Sequence, residues 1–409
     1  MSPDTDTRHL KPETPIPMTR PVYLDNAATT PVRAAVRDAM LPYLSEEAFG
    51  NPSSAHQFGR TARAGIDKAK RQIAAALDAE PNQVIFTSGG TEADNLAVVG
   101  GALAARTQGG GRPFRVAVSA IEHKAVLAAA AAVQRLGGEA IILPVDACGQ
   151  VELPAVDDAL ERGVAVLSAM WVNNEVGVIQ DVSRLANRCL DANVPFHTDA
   201  VQAVGKVACS MAGWPCTLMA ISAHKIGGPK GAGALIVRDP KAVEAIIHGG
   251  EQQFGIRPGT ENVAGIVGLG EAVEMAVRER ETTAKQLADL RDGFERRVLE
   301  IAPDTTIILR DGNRAPHISS VAIPGIDPEA LVMHCDLAGV ACSTGSACNT
   351  GLVEPSHVLK AIGIPVDIAS RVVRFSFYRQ NTVDDVDRAI EVLPEIITKV
   401  RKLSAALAI

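Results

Sequence analysis

The feature that most constrains the fold is an alternation of short β-branched runs with segments of helical periodicity. Seven such runs follow one another along the chain, at residues 84–86, 115–118, 140–145, 164–167, 194–196, 218–221 and 234–237. Between several of them apolar residues recur every three or four positions, as at Ile66, Ala69, Ile73, Ala76 and Leu77. This alternation predicts an α/β fold with a mostly parallel, seven-stranded sheet and helices on both faces.

The alternation stops near residue 271, where the sequence predicts a long charged helix over residues 271–300. A second section follows, with strands predicted near residues 306–309, 318–323 and 374–377. We therefore expect a large domain over residues 34–280 and a smaller α+β domain built from residues 21–33 and 281–409. Residues 1–20 are polar and rich in proline, and we expect them to form a disordered leader.

Composition argues against several classes of protein. The formal net charge of −7 and the lack of a basic run disfavour a nucleic-acid partner. No apolar stretch approaches the roughly 18–20 residues that span a bilayer, and the opening residues lack the apolar segment of a signal peptide. We therefore expect a cytoplasmic protein without a membrane partner, in which the seven cysteines are reduced and a structural disulfide is disfavoured.

Five of the predicted strands end in clusters of polar, titratable or glycine-rich residues. The segments that follow them read TSGGTEADN, SAIEHK, SAMWVNNEVG, HTDAVQ and SAHKIGGPKG. Ligands of open α/β sheets bind beyond the carboxyl ends of the strands, at one edge of the sheet. The five clusters therefore predict one ligand site.

Three of these clusters carry the groups that pyridoxal 5′-phosphate (PLP) needs. Lys225, at a strand end, can bind the cofactor's aldehyde, whereas most loop lysines are simply solvated. Asp199 can keep the ring nitrogen protonated, and the alternative for this residue is a helix N-cap. Gly89, Gly90 and Thr91 open a helix whose free N–H groups attract phosphate. Each signal is weak alone, but the three in this order indicate a PLP site.

Further motifs resemble those of one known family. They lie in fixed order between residue 22 and about residue 393, and include YLDNAATTPV, FGNPSSAH, FTSGGTEADNLAV, VNNEVGVIQDV, HTDAVQAVGK, SAHKIGGPKGAGAL, RPGTENV, GSAC and RVVRFSF. In these motifs the chain resembles the cysteine desulfurases of the NifS/IscS family, which are PLP-dependent transferases of fold type I. The resemblance implies a homodimer that converts L-cysteine to L-alanine and leaves a persulfide on an enzyme cysteine.

The resemblance also implies roles for residues around the cofactor. Lys225 would hold the cofactor covalently, Asp199 would pair with the ring nitrogen, and Gln202 would hydrogen-bond the phenolic oxygen. His123 would lie over the ring and take part in proton transfer. The phosphate would be bound by residues of both subunits, namely Gly90, Thr91, Ser222, His224 and the partner subunit's Thr260.

Roles in substrate binding and sulfur transfer follow in the same way. Asn174, which also contacts the cofactor, and Arg374 would bind the substrate carboxylate; the alternative for Arg374 is a surface ion pair. Cys348, in GSAC, would take the sulfur as a persulfide, and it could also bind an iron–sulfur cluster transiently. We expect Cys342 to be structural, with a resolving or metal-binding role left open. The other cysteines lack the paired spacing of a zinc site.

The persulfide would pass to an acceptor such as an iron–sulfur scaffold protein, for nitrogenase or housekeeping clusters, or to tRNA thiolation. The chain ends at LSAALAI, without the extension that housekeeping members of the family carry, which predicts weak binding to a housekeeping-type scaffold. Two other interpretations stay open. One is a selenocysteine lyase or another PLP enzyme of fold type I. The other is a non-catalytic sulfur-handling scaffold, against which Lys225, Asp199 and Cys348 argue.

Overall fold

The computed structural model describes residues 20–107, 113–344 and 355–407. The strands are β1 Val22–Tyr23, β2 Val84–Thr87, β3 Arg115–Ser119, β4 Glu139–Leu143, β5 Val166–Ser168, β6 Phe196–Asp199, β7 Leu218–Ser222, β8 Gly233–Val237, β9 Thr306–Ile307, β10 Ile318–Ala322, β11 Val340–Ala341 and β12 Val372–Ser376. The α-helices are α1 Ala34–Met40, α2 Gln57–Ala76, α3 Gly90–Asn95, α4 Gly101–Thr107, α5 Lys124–Arg135, α6 Leu153–Glu161, α7 Val182–Asp191, α8 Val263–Arg278, α9 Arg280–Ile301, α10 Pro328–Leu337, α11 His357–Ala361, α12 Val366–Ala369 and α13 Val383–Leu407. Within these ranges no helix is both long enough and apolar enough to span a membrane.

A seven-stranded sheet forms the centre of the fold, in the spatial order β2-β8-β7-β6-β5-β3-β4. β8 is antiparallel to both of its neighbours, and the other strands share one direction. Every residue of β2, β6, β7 and β8 is buried, because the sheet is covered on both faces. The predicted mostly parallel, seven-stranded sheet is confirmed, and its strands begin and end within three residues of the predicted runs.

The largest shift between prediction and structure concerns β6. The apolar run ends at Phe196, but the strand continues through His197 and Thr198 to Asp199. These polar residues are buried inside the sheet, where His197 Nδ1 lies 2.9 Å from the hydroxyl oxygen of Ser168. A run of β-branched residues does not reveal such a strand, since polar residues such as His197 are buried there with a partner on a neighbouring strand.

Residues 271–300 form two helices, so the prediction of a single long helix is wrong. α8 ends at Arg278 and α9 begins at Arg280, with Glu279 between them. The Glu279 carboxylate accepts two hydrogen bonds from Arg33, at 2.7 and 2.8 Å, and lies 3.2 Å from a guanidinium nitrogen of Arg379. Contacts with residues distant in sequence therefore fix this junction, and local periodicity does not reveal them.

A second, smaller hydrophobic cluster joins the start of the described chain to its last third. It packs β1 against α9, α10 and α13, with the Phe294 ring 4.7 Å from that of Phe375 and 5.7 Å from that of Phe377. β10 pairs antiparallel with β9 and β12, and β1 pairs in parallel with β11. The proposed domain boundaries, at residues 34 and 281, stay a prediction.

Candidate active site

The carboxyl ends of five strands of the large sheet meet around a cavity of about 260 Å³. Nine of the predicted site residues line it, namely Gly90 and Thr91 after β2, His123 after β3, Asn174 after β5, Asp199 and Gln202 at the end of β6, and Ser222, His224 and Lys225 at the end of β7. A larger cavity of about 500 Å³ lies near Arg20 and Lys230, and none of these residues lines it. The predicted site residues therefore gather around the smaller cavity.

Lys225 occupies the 3₁₀ turn that follows β7. Its Nζ donates to the backbone oxygen of Ala27 at 2.6 Å and to that of Ala28 at 2.7 Å. Burial, together with the positive charge of Arg374, lowers the pKa of Lys225 to about 8. The amine can therefore lose its proton near neutral pH, as a lysine that attacks a carbonyl must.

Asp199 lies near two other buried carboxyl groups, those of Asp94 and Glu122. Burial raises its pKa, although His123 favours the ionised form. Burial and the charge of Asp199 raise the pKa of Glu122 to about 8, and the same two causes raise that of Asp94. Three negative charges are disfavoured in so small a volume, so a cation placed beside Asp199 would be stabilised.

The burial of Glu122 predicts a dependence of stability on pH in the cofactor-free protein. Between pH 4.5 and about 8 the folded protein keeps a proton on Glu122 that the unfolded chain has released. The contribution of Glu122 to the free energy of unfolding therefore falls as pH rises through that window. Glu122→Gln lacks this pH dependence, so the free energy of unfolding of the variant minus that of the parent should be higher at pH 8 than at pH 5, by about 3 kcal/mol in urea unfolding.

Glu92→Gln is the matched control for this experiment. Burial disfavours ionisation of Glu92, but hydrogen bonds from Arg257 and Ser88 outweigh it and lower the pKa of this carboxyl. Because Glu92 is ionised at both pH 5 and pH 8, its replacement should destabilise the protein equally at the two values. If the stability of Glu122→Gln relative to the parent is the same at pH 5 and pH 8, Glu122 does not hold a proton in the folded protein.

His123 and Gln202 are held by backbone groups. Nδ1 of His123, the N-cap of α5, accepts the N–H of Ala125 at 3.1 Å, so a neutral imidazole carries its proton on Nε2. Burial lowers the pKa of His123, although Asp199 opposes this effect. Nε2 of Gln202 donates to the backbone oxygen of Ala27 at 2.9 Å.

At the end of the cavity next to α3, the backbone and the packing favour glycine at positions 89 and 90. Gly89 has a φ of +156°, and a Cβ on Gly90 would stand 2.9 Å from Cγ2 of Val201. α3 begins at Gly90 and continues through a π-helical turn into α4, so the N–H groups of its first turn have no partner within the helix. These N–H groups and the hydroxyls of Thr91 and Ser222 can bind an anion.

Arg374 lies in β12, beside the cavity wall. Its Nη1 donates to the backbone oxygen of Asn174 at 2.8 Å, and its Nη2 donates to Asp25 at 2.7 Å. Only 4% of Arg374 is exposed, so the alternative of a surface ion pair is wrong. Nε of Arg374 is buried and has no hydrogen-bond partner among the described residues.

Cys348 lies outside the described residues, in the segment 345–354. The chain enters this segment after Ser343, whose backbone N–H and oxygen pair with Arg374 at 3.1 and 2.6 Å. It leaves the segment before Ser356, whose hydroxyl donates to the carboxylate of Glu175, the neighbour of Asn174. Both flanks of the segment are therefore bonded to residues that contact or adjoin Asn174 of the cavity wall.

Cys342 is buried in the smaller hydrophobic cluster. A hydrogen bond with Cys335 and burial raise the pKa of the Cys342 thiol well above its ordinary value. A thiol with a raised pKa is a poor nucleophile, which favours the structural role for Cys342. The parts of the chain that the structure describes contain no group of three His, Cys, Asp or Glu side chains that could hold a metal ion.

Thr260 does not join the cavity of its own chain and is exposed. Three residues of the site region were not predicted from the sequence: Asp94, which lines the cavity, Glu122, and His317, which contacts Gln202. Asp94 could have been found by helical spacing, since it follows Gly90 by one turn on the same face. Glu122 directly precedes His123, but nothing in the sequence links His317 to the site.

Gly227 lies two residues after Lys225, in a turn with little room for a side chain. Its φ is +82°, and a Cβ there would stand 2.5 Å from the hydroxyl oxygen of Tyr378 and 2.5 Å from Cγ of Arg33. The side chains of Tyr378 and Arg33 thus fill the space that a larger residue at position 227 would need. Gly227 is therefore required by packing in this chain.

The family model for aminotransferase class V matches residues 22–389 of this chain. The chain belongs to the class-V aminotransferase family. A protein named cysteine desulfurase IscS from Dictyoglomus turgidum is 42% identical over 387 residues, which are 95% of this chain and 97% of that protein. Another of the same name, from Methanosarcina thermophila, is 43% identical over 94% of this chain and 93% of its own length.

Solved structures agree with this assignment. A NifS-like protein superimposes with a TM-score of 0.85 at 32% identity, covering 92% of this chain and 99% of its own. A structure described as SspA in complex with cysteine superimposes with a TM-score of 0.76 at 32% identity, covering 88% of this chain and all of that one. The predicted fold, that of a fold-type-I PLP enzyme, is confirmed.

As a class-V aminotransferase the chain is a PLP-dependent enzyme, and its cavity fits that cofactor. The cavity combines an amine with a lowered pKa, a carboxyl group that a cation would stabilise, and a side-chain amide. These groups suit the aldehyde, the ring nitrogen and the phenolic oxygen of PLP. The glycine-rich start of α3 suits its phosphate.

Proposed function

We propose that this chain is a cysteine desulfurase, which removes sulfur from L-cysteine and releases L-alanine. The observation that carries the proposal is the placement of Lys225, Asp199 and His123 around one cavity, with both flanks of the Cys348 segment bonded to residues next to its wall. The relatives named cysteine desulfurase and the cysteine in the SspA structure support the same reaction.

In the proposed mechanism bound PLP supplies an electron sink for the charge that develops at the substrate Cα. Lys225 would bind the cofactor and, once displaced by substrate, take the Cα proton on Nζ. Its lowered pKa leaves part of the amine neutral at pH 7, as a base requires. Asp199 would hold the proton on the ring nitrogen, and His123 would lie over the ring and move protons through its Nε2.

Sulfur transfer would use the thiolate of Cys348. The thiolate attacks the sulfur of bound cysteine, so that the Cβ–S bond of the substrate breaks and an S–S bond forms on the enzyme. The electron pair of the broken bond stays with Cβ, which is protonated to give alanine. The sum is L-cysteine plus enzyme thiol giving L-alanine plus enzyme persulfide, and it needs no outside oxidant.

The substrate carboxylate would be bound next to the flanks of the same segment. Arg374 is buried and its Nε is free of protein partners in the described residues. The guanidinium is oriented by Asn174 and Asp25, so it is held in place before substrate arrives. Asn174 lines the cavity and would contact both substrate and cofactor.

The protein would act as a homodimer. Phe254 is 64% exposed and has a φ of +63°, a left-handed conformation that is uncommon for a bulky residue. Phe49 and Phe58, with ring centroids 5.4 Å apart, are also exposed. Exposed aromatic side chains of this kind are typical of interfaces between subunits. In the dimer, Thr260 would reach the phosphate of the other subunit.

Dimer formation is tested with Phe254→Asp, because burial of an unpaired charge at an interface is strongly unfavourable. We expect the dissociation constant of the dimer to rise by about 100-fold or more in sedimentation velocity experiments. Leu337→Asp changes a residue that is 77% exposed on α10 and should leave the dimer intact. A Phe254→Asp variant that remains dimeric, or a parent protein that is active as a monomer, would refute this proposal.

The acceptor of the persulfide would be an iron–sulfur scaffold protein, and the site of action would be the cytoplasm. The division into a large domain over residues 34–280 and a small domain from residues 21–33 and 281–409 belongs to the same proposal, with the segment of Cys348 in the small domain.

The proposed reaction is tested by incubating the PLP-loaded protein with L-cysteine or L-selenocysteine. Alanine formed from cysteine, with one sulfur gained by the enzyme, supports it. Turnover of selenocysteine alone would favour a selenocysteine lyase, and no turnover would favour a scaffold.

A further inference from the structure

His317 is a buried histidine that the mechanism above does not use. It lies immediately before β10, it is 1% exposed, and its Nε2 is 3.1 Å from Oε1 of Gln202. Gln202 lines the cavity, and it is the residue expected to donate a hydrogen bond to the phenolic oxygen of the cofactor. His317 itself is not part of the cavity wall, so it can act on the cofactor only through Gln202.

The partners of Gln202 determine which way its amide group points. One end of the amide faces the backbone oxygen of Ala27 at 2.9 Å, and a carbonyl oxygen only accepts hydrogen bonds, so that end is Nε2. The other end is therefore the amide oxygen, which only accepts. Nε2 of His317 must then carry a proton and donate it to Oε1 of Gln202.

The surroundings keep His317 in this neutral, Nε2-protonated form. Burial lowers its pKa well below the ordinary value, and Lys206, Arg374, Arg291 and Lys225 add positive charge around it. Nδ1 of His317 is buried and has no partner among the described residues, which fits an unprotonated nitrogen at that position.

We propose that His317 is a positioning residue that fixes the amide of Gln202 so that one of its N–H groups is available to the cavity. One N–H of Gln202 binds Ala27, and the second is left to donate to an oxygen in the cavity. With an apolar residue at position 317, Oε1 of Gln202 would be buried without a donor, and the amide would be free to turn its oxygen toward the cofactor. This inference rests on the proposed function.

The test uses the visible absorbance of PLP bound to Lys225, followed as a function of pH. An N–H donated to the phenolic oxygen favours the more negative form of the bound cofactor, so its loss raises the pH midpoint of the absorbance change. His317→Leu should raise this midpoint by about one unit. His317→Gln, which keeps a donor of similar reach, should restore the parent midpoint. If the leucine variant does not fold, His317→Asn replaces it, because its amide is too short to reach Gln202.

A second comparison separates positioning through Gln202 from a general structural effect. In a Gln202→Ala background, His317→Leu should produce no additional shift, because the group through which it acts is missing. Ser319→Ala, a change at a fully buried residue of β10, should leave the midpoint unchanged. The inference is overturned if His317→Leu gives the parent midpoint, or if it gives the same shift with and without Gln202. A parent protein that shows no visible PLP absorbance would contradict the proposed function instead.

Discussion

Replacing Lys225 with alanine is expected to abolish the covalent attachment of PLP and to lower turnover of L-cysteine by about 10⁴-fold or more. Lys225 is the lysine that lines the described cavity, and its amine has a pKa of about 8. After borohydride reduction, mass spectrometry of the parent should find the cofactor on Lys225. The variant should carry none.

The matched control is Lys230→Ala, five residues further along the same loop. Lys230 is exposed and is not part of the cofactor cavity, so this variant should keep both the covalent cofactor and turnover. A reducible adduct on another lysine of the Lys225→Ala protein, Lys206 for example, would show that Lys225 is not the attachment site. Loss of the adduct in Lys230→Ala would likewise contradict the assignment of Lys225 as the attachment site.

Replacing Cys348 with alanine is expected to lower the rate of sulfur transfer by about 10³-fold or more and to leave cofactor binding unchanged. The chemistry at the cofactor does not use this thiol, so addition of L-cysteine should still change the visible absorbance. Mass spectrometry after one turnover should find one added sulfur on Cys348 of the parent protein and none on the variant.

Cys342→Ala provides the comparison, since Cys342 is the nearest cysteine in sequence to Cys348. Its thiol is buried against Cys335 and its pKa is raised, so the variant should keep most of the activity while losing some stability. Sulfur mapped to Cys342, or alanine production by Cys348→Ala at the parent rate, would contradict the assignment. Equal loss of activity in both variants, with metal bound to the parent, would indicate a metal site formed by the pair.

The sheet and most of the site could be predicted because both depend on local patterns. Alternation of β-branched runs and helical segments gives the strands, and the strand ends carry the chemical groups. Lys225 and Asp199 could be found for this reason, since each is adjacent to an apolar run. Their convergence on one cavity follows from the common direction of the parallel strands.

The remaining features depend on contacts between distant parts of the chain. The break between α8 and α9 depends on Arg33 and Arg379, which bind Glu279 from opposite ends of the sequence. The contact between His317 and Gln202 joins residues 115 positions apart. The true extent of β6 depends on burial of His197, which a hydropathy pattern treats as a strand-ending residue. Single-sequence patterns contain no information on such pairings.

The close contact between Gly227 and Tyr378 limits which substitutions this chain can accept at either position. A tyrosine introduced at position 227 would collide with the hydroxyl of Tyr378, and removal of Tyr378 alone would leave an empty volume beside Arg33. Either change by itself is therefore costly, and a variant with a larger residue at position 227 would also need a smaller residue at position 378. The two positions are therefore coupled through packing, although they lie 151 positions apart in the sequence.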